Sequence, residues 1–214
     1  MMTQTHGLIA AALLTSPSRS KRHNFSVLLG SLMPDMAIFG LYAWSKIEKI
    51  PESILWRDVY FSEPMLTLTA IGNSLPLYLF VLFMAMSVGT VRFKRAGLAV
   101  DARLDQTHFS WLVTRSAIAL FALAAITHLV GDFPVHAADA HPHFWPFTDW
   151  RFHSPISYWD SNHYGHVFFY VEATLGVMLS IILFRRFNVT SVRALIGLLM
   201  GAYIAVPLYF SLVL

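Results

Sequence analysis

The chain has 214 residues, 56% of them hydrophobic and 13% charged, with a formal net charge of +3 and a mean hydropathy of +0.57. Soluble domains carry about 25% charged residues, so the deficit points to a membrane protein. The positive balance is not a nucleic-acid signature, because the basic residues stand in short clusters between apolar segments, and the absence of cysteine excludes disulfides, thiolate metal sites and thiol nucleophiles.

The first apolar stretch, 6–14, reaches only about halfway across a bilayer at 1.5 Å per residue. No basic n-region precedes it, so it reads as a retained half-helix and not as a cleaved signal. The next stretch, 25–46, is long enough to cross but is interrupted by Pro34-Asp35. Proline lacks an N–H and clashes with the preceding turn, so the helix should break there and free carbonyl groups near Gly30. Such groups are tolerable at membrane depth only inside a bundle or along a wet cavity, which turns Asp35 inward, towards His6. Segments 66–88, 113–133, 167–184 and 194–214 complete a set of five spans. Tyr, Trp and Phe crowd the segment ends, as interfacial aromatics do. The expectation is an all-α polytopic membrane bundle of about five transmembrane helices plus the N-terminal half-helix. It forms a single domain over 1–214, with 134–166 as an external loop rich in histidine and aromatic residues.

Orientation follows from Lys and Arg. Loops 15–24, 89–110 and 185–193 hold ten basic residues, whereas the alternate loops 46–65 and 134–166 hold four. This places 15–24 in the cytoplasm, and the histidine-rich loop and the C-terminus outside, in a multi-pass protein of the bacterial inner membrane.

Ionisable groups at membrane depth are expensive and are functional candidates by default. This chain has His6, Asp35, His128, Asp132 and Glu172 in its apolar segments. Estimated depths let all five meet in the outer half of the bundle. His128 and Asp132 stand at i and i+4, on one helix face. Imidazole and carboxylate together suit zinc, manganese or iron, and a cation would relieve the burial of Asp35 and Asp132. His6, Asp35, His128 and Asp132 are therefore the candidate metal ligands. The plain alternative is hydrogen bonding between helices, and for Glu172 helix packing is the simpler role. Pro34 has a counterpart in Pro134, which ends the third span and leaves His136 free to fold back over the site or to point elsewhere. His141-Pro-His143 reads either as a second metal arm or as interfacial decoration. His136 and His141 stay open between those readings, whereas His143, His153 and His163 read as decoration. His23 and His108 read as solvated surface.

The same residues resemble a known family. THGLIAAAL at 5–13, GSLMPDMAIF at 30–39 and THLVGDF at 127–133 are similar to the three signatures of the predicted inner-membrane metal-dependent hydrolases. Those have an early His, a Leu-Pro-Asp turn and a later His-x3-Asp, with Met33 here in place of the Leu. The resemblance implicates His6, Asp35, His128 and Asp132 in metal binding. The further histidine–serine element of the family has only HSP at 153–155 as a poor counterpart. Zinc-dependent phospholipase C is similar in motif set but adds a His-x3-Glu pair. Here Glu172 follows His166 by six residues, so that pair is absent. The outer loop from Asp139 to Gly165 looks like a subgroup sometimes labelled as cobalamin-biosynthesis proteins. The absent cysteine and the absent phosphate-binding glycine loop argue against that activity.

The leading expectation is a membrane-embedded metal-dependent hydrolase, zinc first among its metals, with Glu172 or His136 moving the proton. A lipid or lipid-linked ester would reach it from the outer face. Three alternatives use the same residues: a metal or proton transport protein, a membrane di-iron oxygenase, and a non-catalytic membrane protein.

Overall fold

The computed structural model describes residues 1–95 and 116–213, and every regular element among them is helical. Eight helices carry the bundle: α1 (Thr3–Leu14), α2 (Lys21–Leu32), α3 (Met36–Ile47), α4 (Glu63–Gly72), α5 (Leu75–Arg95), α6 (Ala117–Asp132), α7 (Gly165–Arg186) and α8 (Thr190–Val213). Helices α2–α3, α4–α5 and α7 form three stretches long and apolar enough to cross a membrane: Lys21–Ile47, Glu63–Val88 and Gly165–Arg186. Ala117–Asp132 and Thr190–Ala205 are shorter apolar helices. These five stretches overlap the five expected spans, three of them at full crossing length and two shorter. The surface has the matching chemistry. Phe80, Phe83, Ile181, Ile182, Leu198 and Ile204 are exposed, whereas His6, His128, Asp132 and Glu172 are buried.

Pro34 breaks the first long stretch as its chemistry requires. Met33–Asp35 form a single 3-10 turn, and α3 restarts at Met36. A second break was not expected. The stretch at 66–88 parts at Asn73 and Ser74, between α4 and α5. The two breaks touch, since a Cβ on Gly72 would lie 2.9 Å from the Pro34 carbonyl oxygen. Helix α5 also continues to Arg95, so the basic loop expected from 89 starts later. Residues 96–110 of that loop, with His108, lie outside the described residues.

The half-helix α1 sits at the centre. It packs against α2, α6, α7 and α8. Its C-terminal carbonyls are exposed by its short length, and Arg186 satisfies two of them, donating to Ala12 O at 2.6 Å and Thr15 O at 3.2 Å. Helices α2 and α6 make the tightest pair. A Cβ on Gly30 would lie 2.1 Å from the carbonyl oxygen of Phe121, so only glycine admits this approach. Ala10, Val27, Leu120 and Ala124 fill the seam where α1, α2 and α6 meet.

The segment after α6 does not hang free. Leu75 N–H donates to His143 O at 2.8 Å, and Ser74 Oγ donates to Trp145 O at 2.6 Å. The break at Asn73 and Ser74 thus supplies backbone partners that hold the segment against the top of the bundle.

Candidate metal centre

Helical spacing brings His128 and Asp132 to one face of α6, and Asp132 is the hub of the site. Its Oδ1 lies 2.8 Å from His6 Nε2, and its Oδ2 lies 2.9 Å from His128 Nε2. The rings of His6 and His128 stack with centroids 3.5 Å apart. His6, His128 and Asp132 are 1%, 0% and 2% exposed. Each offers one ligand atom, and these atoms lie within 4.8 Å of one another, a group that can hold a metal ion. Asp35 stands just outside this trio and joins it through His128, with its Oδ1 3.5 Å from His128 Nε2. It faces inward, as expected from Pro34. Its other oxygen accepts from Thr3 Oγ1 at 2.5 Å. The Asp35 side chain is 16% exposed and forms the open edge of the site.

The 3-10 turn at Met33–Asp35 interrupts the α-helical ladder, and the nearby Ser31 carbonyl accepts from His128 Nδ1 at 2.6 Å. That bond fixes the proton on Nδ1, so a neutral His128 carries only a lone pair at Nε2. This nitrogen makes no hydrogen bond to the carboxylates that face it. A ring nitrogen and two carboxylate oxygens therefore converge as acceptors, an arrangement that is repulsive unless a proton or a cation lies among them. A cation fits the spacing. Two donors bound to one zinc at 2.0–2.1 Å are separated by roughly 3.3 Å, and the three pairs around Asp132 and His128 span 2.8 to 3.5 Å. The Met1 ammonium also donates to Asp132 Oδ1, at 2.5 Å.

The two residues expected to move a proton part company. His136 touches the site, with Nε2 3.3 Å from Asp132 Oδ1. Glu172 does not contact the ligands. Its Oε1 accepts the Met2 N–H at 2.6 Å, satisfying one of the N–H groups left over at the start of α1. It is buried and holds α1 in place.

The outer histidines divide in a way their sequence context did not indicate. His136, His141 and His143 are all buried. His143 is thus not decoration: its Nδ1 donates to Asn73 O at 3.2 Å and ties the segment to the helix break. His153 and His163 remain peripheral, bonded to Ala137 O and Asp160. Asp139 was missed. Its Oδ2 accepts from His136 Nδ1 at 2.9 Å and from Trp159 Nε1 at 3.0 Å. The i, i+3 spacing of His136 and Asp139 was the available signal. Burial opposes a charge on His136, but the carboxylates of Asp132 and Asp139 outweigh it and raise the group to about 9. Burial and the neighbouring His136 hold His141 well below its ordinary value, so its ring is neutral.

No protein family, curated protein or solved structure matches the chain. Geometry and donor chemistry therefore carry the functional argument.

Proposed function

We propose that the chain is a membrane-embedded metal-dependent hydrolase, with zinc as its metal and a lipid or lipid-linked ester as its substrate. The observation that carries this reading is the convergence of His6, His128, Asp132 and Asp35, with His128 locked by Ser31 so that its lone pair faces two carboxylates. Hydrogen bonding between helices accounts for the same contacts only with a second proton on His128, whereas a cation accounts for them with the ring neutral.

His6, His128 and Asp132 would hold the ion, with Asp35 at the accessible edge. A divalent metal there would lower the pKa of a bound water to about 7 and polarise a carbonyl or phosphoryl oxygen. Asp35 marks the side from which substrate approaches. His136 exchanges a proton at Nε2, because its Nδ1 is committed to Asp139. The buried side chains of His136, His141 and His143 limit the entry of water. The excess of basic residues in alternate loops supports an orientation with this segment outside the bacterial inner membrane.

The packing below the site favours hydrolysis over transport. Ala10 lies one turn from His6, Ala124 one turn from His128, and Val27 one turn from Ser31. These residues form an apolar seam with Leu120 and offer no polar path onward.

The test uses detergent-purified protein, wild type beside Asp132→Ala. Zinc content is measured by mass spectrometry after zinc loading and exhaustive dialysis. Hydrolysis of a panel of bacterial phospholipids is followed in parallel by chromatography of the products. The wild type should retain at least one zinc per chain and release product in a zinc-dependent manner, and the variant should do neither. A wild-type protein that retains no zinc would remove the physical basis of the reading. Retention of zinc with no hydrolysis would leave a metal site and refute the lipid ester as substrate.

A further inference from the structure

The hydrolase reading leaves two buried features beside the site without a role. His141 is 6% exposed, and neither of its ring nitrogens makes a hydrogen bond to the described residues. Asp139 Oδ1 is buried without a partner. His136 repeats the arrangement of His128. Its Nδ1 donates to an acceptor, here Asp139 Oδ2, so that a neutral ring turns a bare Nε2 towards Asp132 Oδ1. Metal-bound histidines characteristically donate their other N–H to a carboxylate in this way. Asp139 is itself fixed by Trp159 Nε1.

We propose that a second divalent cation binds here, held by His136, His141 and Asp132, with Asp139 as the positioning residue for His136. Two spacings fit, and the third, from His141 to Asp132, would close only when the ion binds. Donor atoms on one zinc lie roughly 3.3 Å apart, and His136 Nε2 lies 3.3 Å from Asp132 Oδ1. Two imidazoles bound tetrahedrally to one zinc have ring centroids roughly 5 Å apart, and those of His136 and His141 are 5.1 Å apart at an interplanar angle of 49°. Asp132 joins the two sites. Its Oδ2 faces His128 and its Oδ1 faces both His6 and His136. A carboxylate shared in this way suits ions about 3.5–4 Å apart, the spacing of two-metal hydrolytic sites. At His136 Nε2 the second cation takes the place of the proton, so the one-ion and two-ion forms differ by that exchange.

The sharing of Asp132 makes this inference rest on the hydrolase site, and the stoichiometry separates the two. Full-length protein in detergent is stripped with a chelator, dialysed and titrated with Co2+, whose absorption reports occupancy. Zinc-loaded samples are counted in parallel by mass spectrometry. The wild type should bind two ions per chain. His141→Ala and His136→Ala should each bind one, and His128→Ala should lose the other one. A wild type with one ion, unchanged in His141→Ala and lost in His128→Ala, would overturn the second site and leave the first. One ion that is lost in His141→Ala and kept in His128→Ala would uphold the outer site and refute the inner one. No bound ion would refute both. If His141→Ala cannot be purified as a monodisperse species, the wild-type titration decides. A break at two equivalents supports the second ion, and a break at one overturns it.

Discussion

Gly30→Ala tests the link between helix packing and the metal centre. The added Cβ would lie 2.1 Å from the Phe121 carbonyl oxygen, where ordinary contact begins near 3.4 Å. The obstacle is backbone, so α2 and α6 must separate by about 1.3 Å locally, which at typical overpacking costs destabilises by about 1–3 kcal/mol. Ser31 is the next residue, and its carbonyl accepts from His128 Nδ1 at 2.6 Å. If the full displacement reaches that bond, it stretches to about 3.9 Å, beyond hydrogen-bonding range. Loss of such a supporting contact typically lowers metal affinity by about 10–100-fold, or about 1.4–2.7 kcal/mol. The assay is a competition titration of Zn2+ against a chromophoric chelator in detergent. Gly40→Ala is the control, because a Cβ there meets nothing within 4 Å. Wild-type zinc affinity in a monodisperse Gly30→Ala protein would refute the argument that the α2–α6 contact holds His128 in register.

Other substitutions and metal removal separate the remaining roles. Asp132→Asn keeps the side-chain volume and removes the charge that His6, His128 and His136 share, so zinc retention should fall at least tenfold while membrane insertion is unchanged, checked by fractionation and metal analysis. Chelation of the wild-type protein should lower its thermal midpoint, since a ligand at 100 times its Kd contributes about 2.7 kcal/mol, and an unchanged melt would count against an ion held by the native state. Glu172→Ala should strand the half-buried Met2 N–H and cost about 1–3 kcal/mol in a denaturation assay, with Glu172→Gln restoring most of it. Full zinc-dependent activity in Glu172→Ala would confirm that this residue positions α1 and moves no proton. Ser74→Ala removes the hydroxyl that donates to Trp145 O and accepts from Leu77 N–H. It should cost about 1 kcal/mol, and limited proteolysis should then cut the outer segment faster.

Much of this architecture was legible because membrane chemistry is coarse. Hydropathy marks the five stretches, and Pro34 announces its own break. His128 and Asp132 reveal themselves by a four-residue spacing. The break at Asn73 and Ser74 escaped notice because two polar residues scarcely lower the mean of a long apolar run, although Gly72-Asn73-Ser74 is turn chemistry. The Ser31 carbonyl could not have been found at all, since a backbone acceptor leaves no mark in residue type. The outer segment was misjudged at His143 for a related reason. Its polar and aromatic composition describes a surface loop, but its partners are backbone groups exposed by the break it covers.

The contact between the two helix breaks has a consequence for how this chain can vary. Residues 36–72 depart from the two helix breaks beside Pro34 and Gly72, and these two points touch. Between them α3 and α4 gather a core of their own from Leu41, Leu55 and Met65, with a tie to α8 through the hydroxyls of Tyr42 and Tyr209, 2.7 Å apart. A segment whose ends meet can be lengthened, shortened or replaced without respacing its neighbours. The hairpin is thus an interchangeable cap mounted on a fixed chemical base, and it joins that base next to Asp35, the accessible edge of the candidate metal centre. Exchange of the cap offers a way to alter which molecules reach the candidate metal site while leaving His6, His128 and Asp132 where they are.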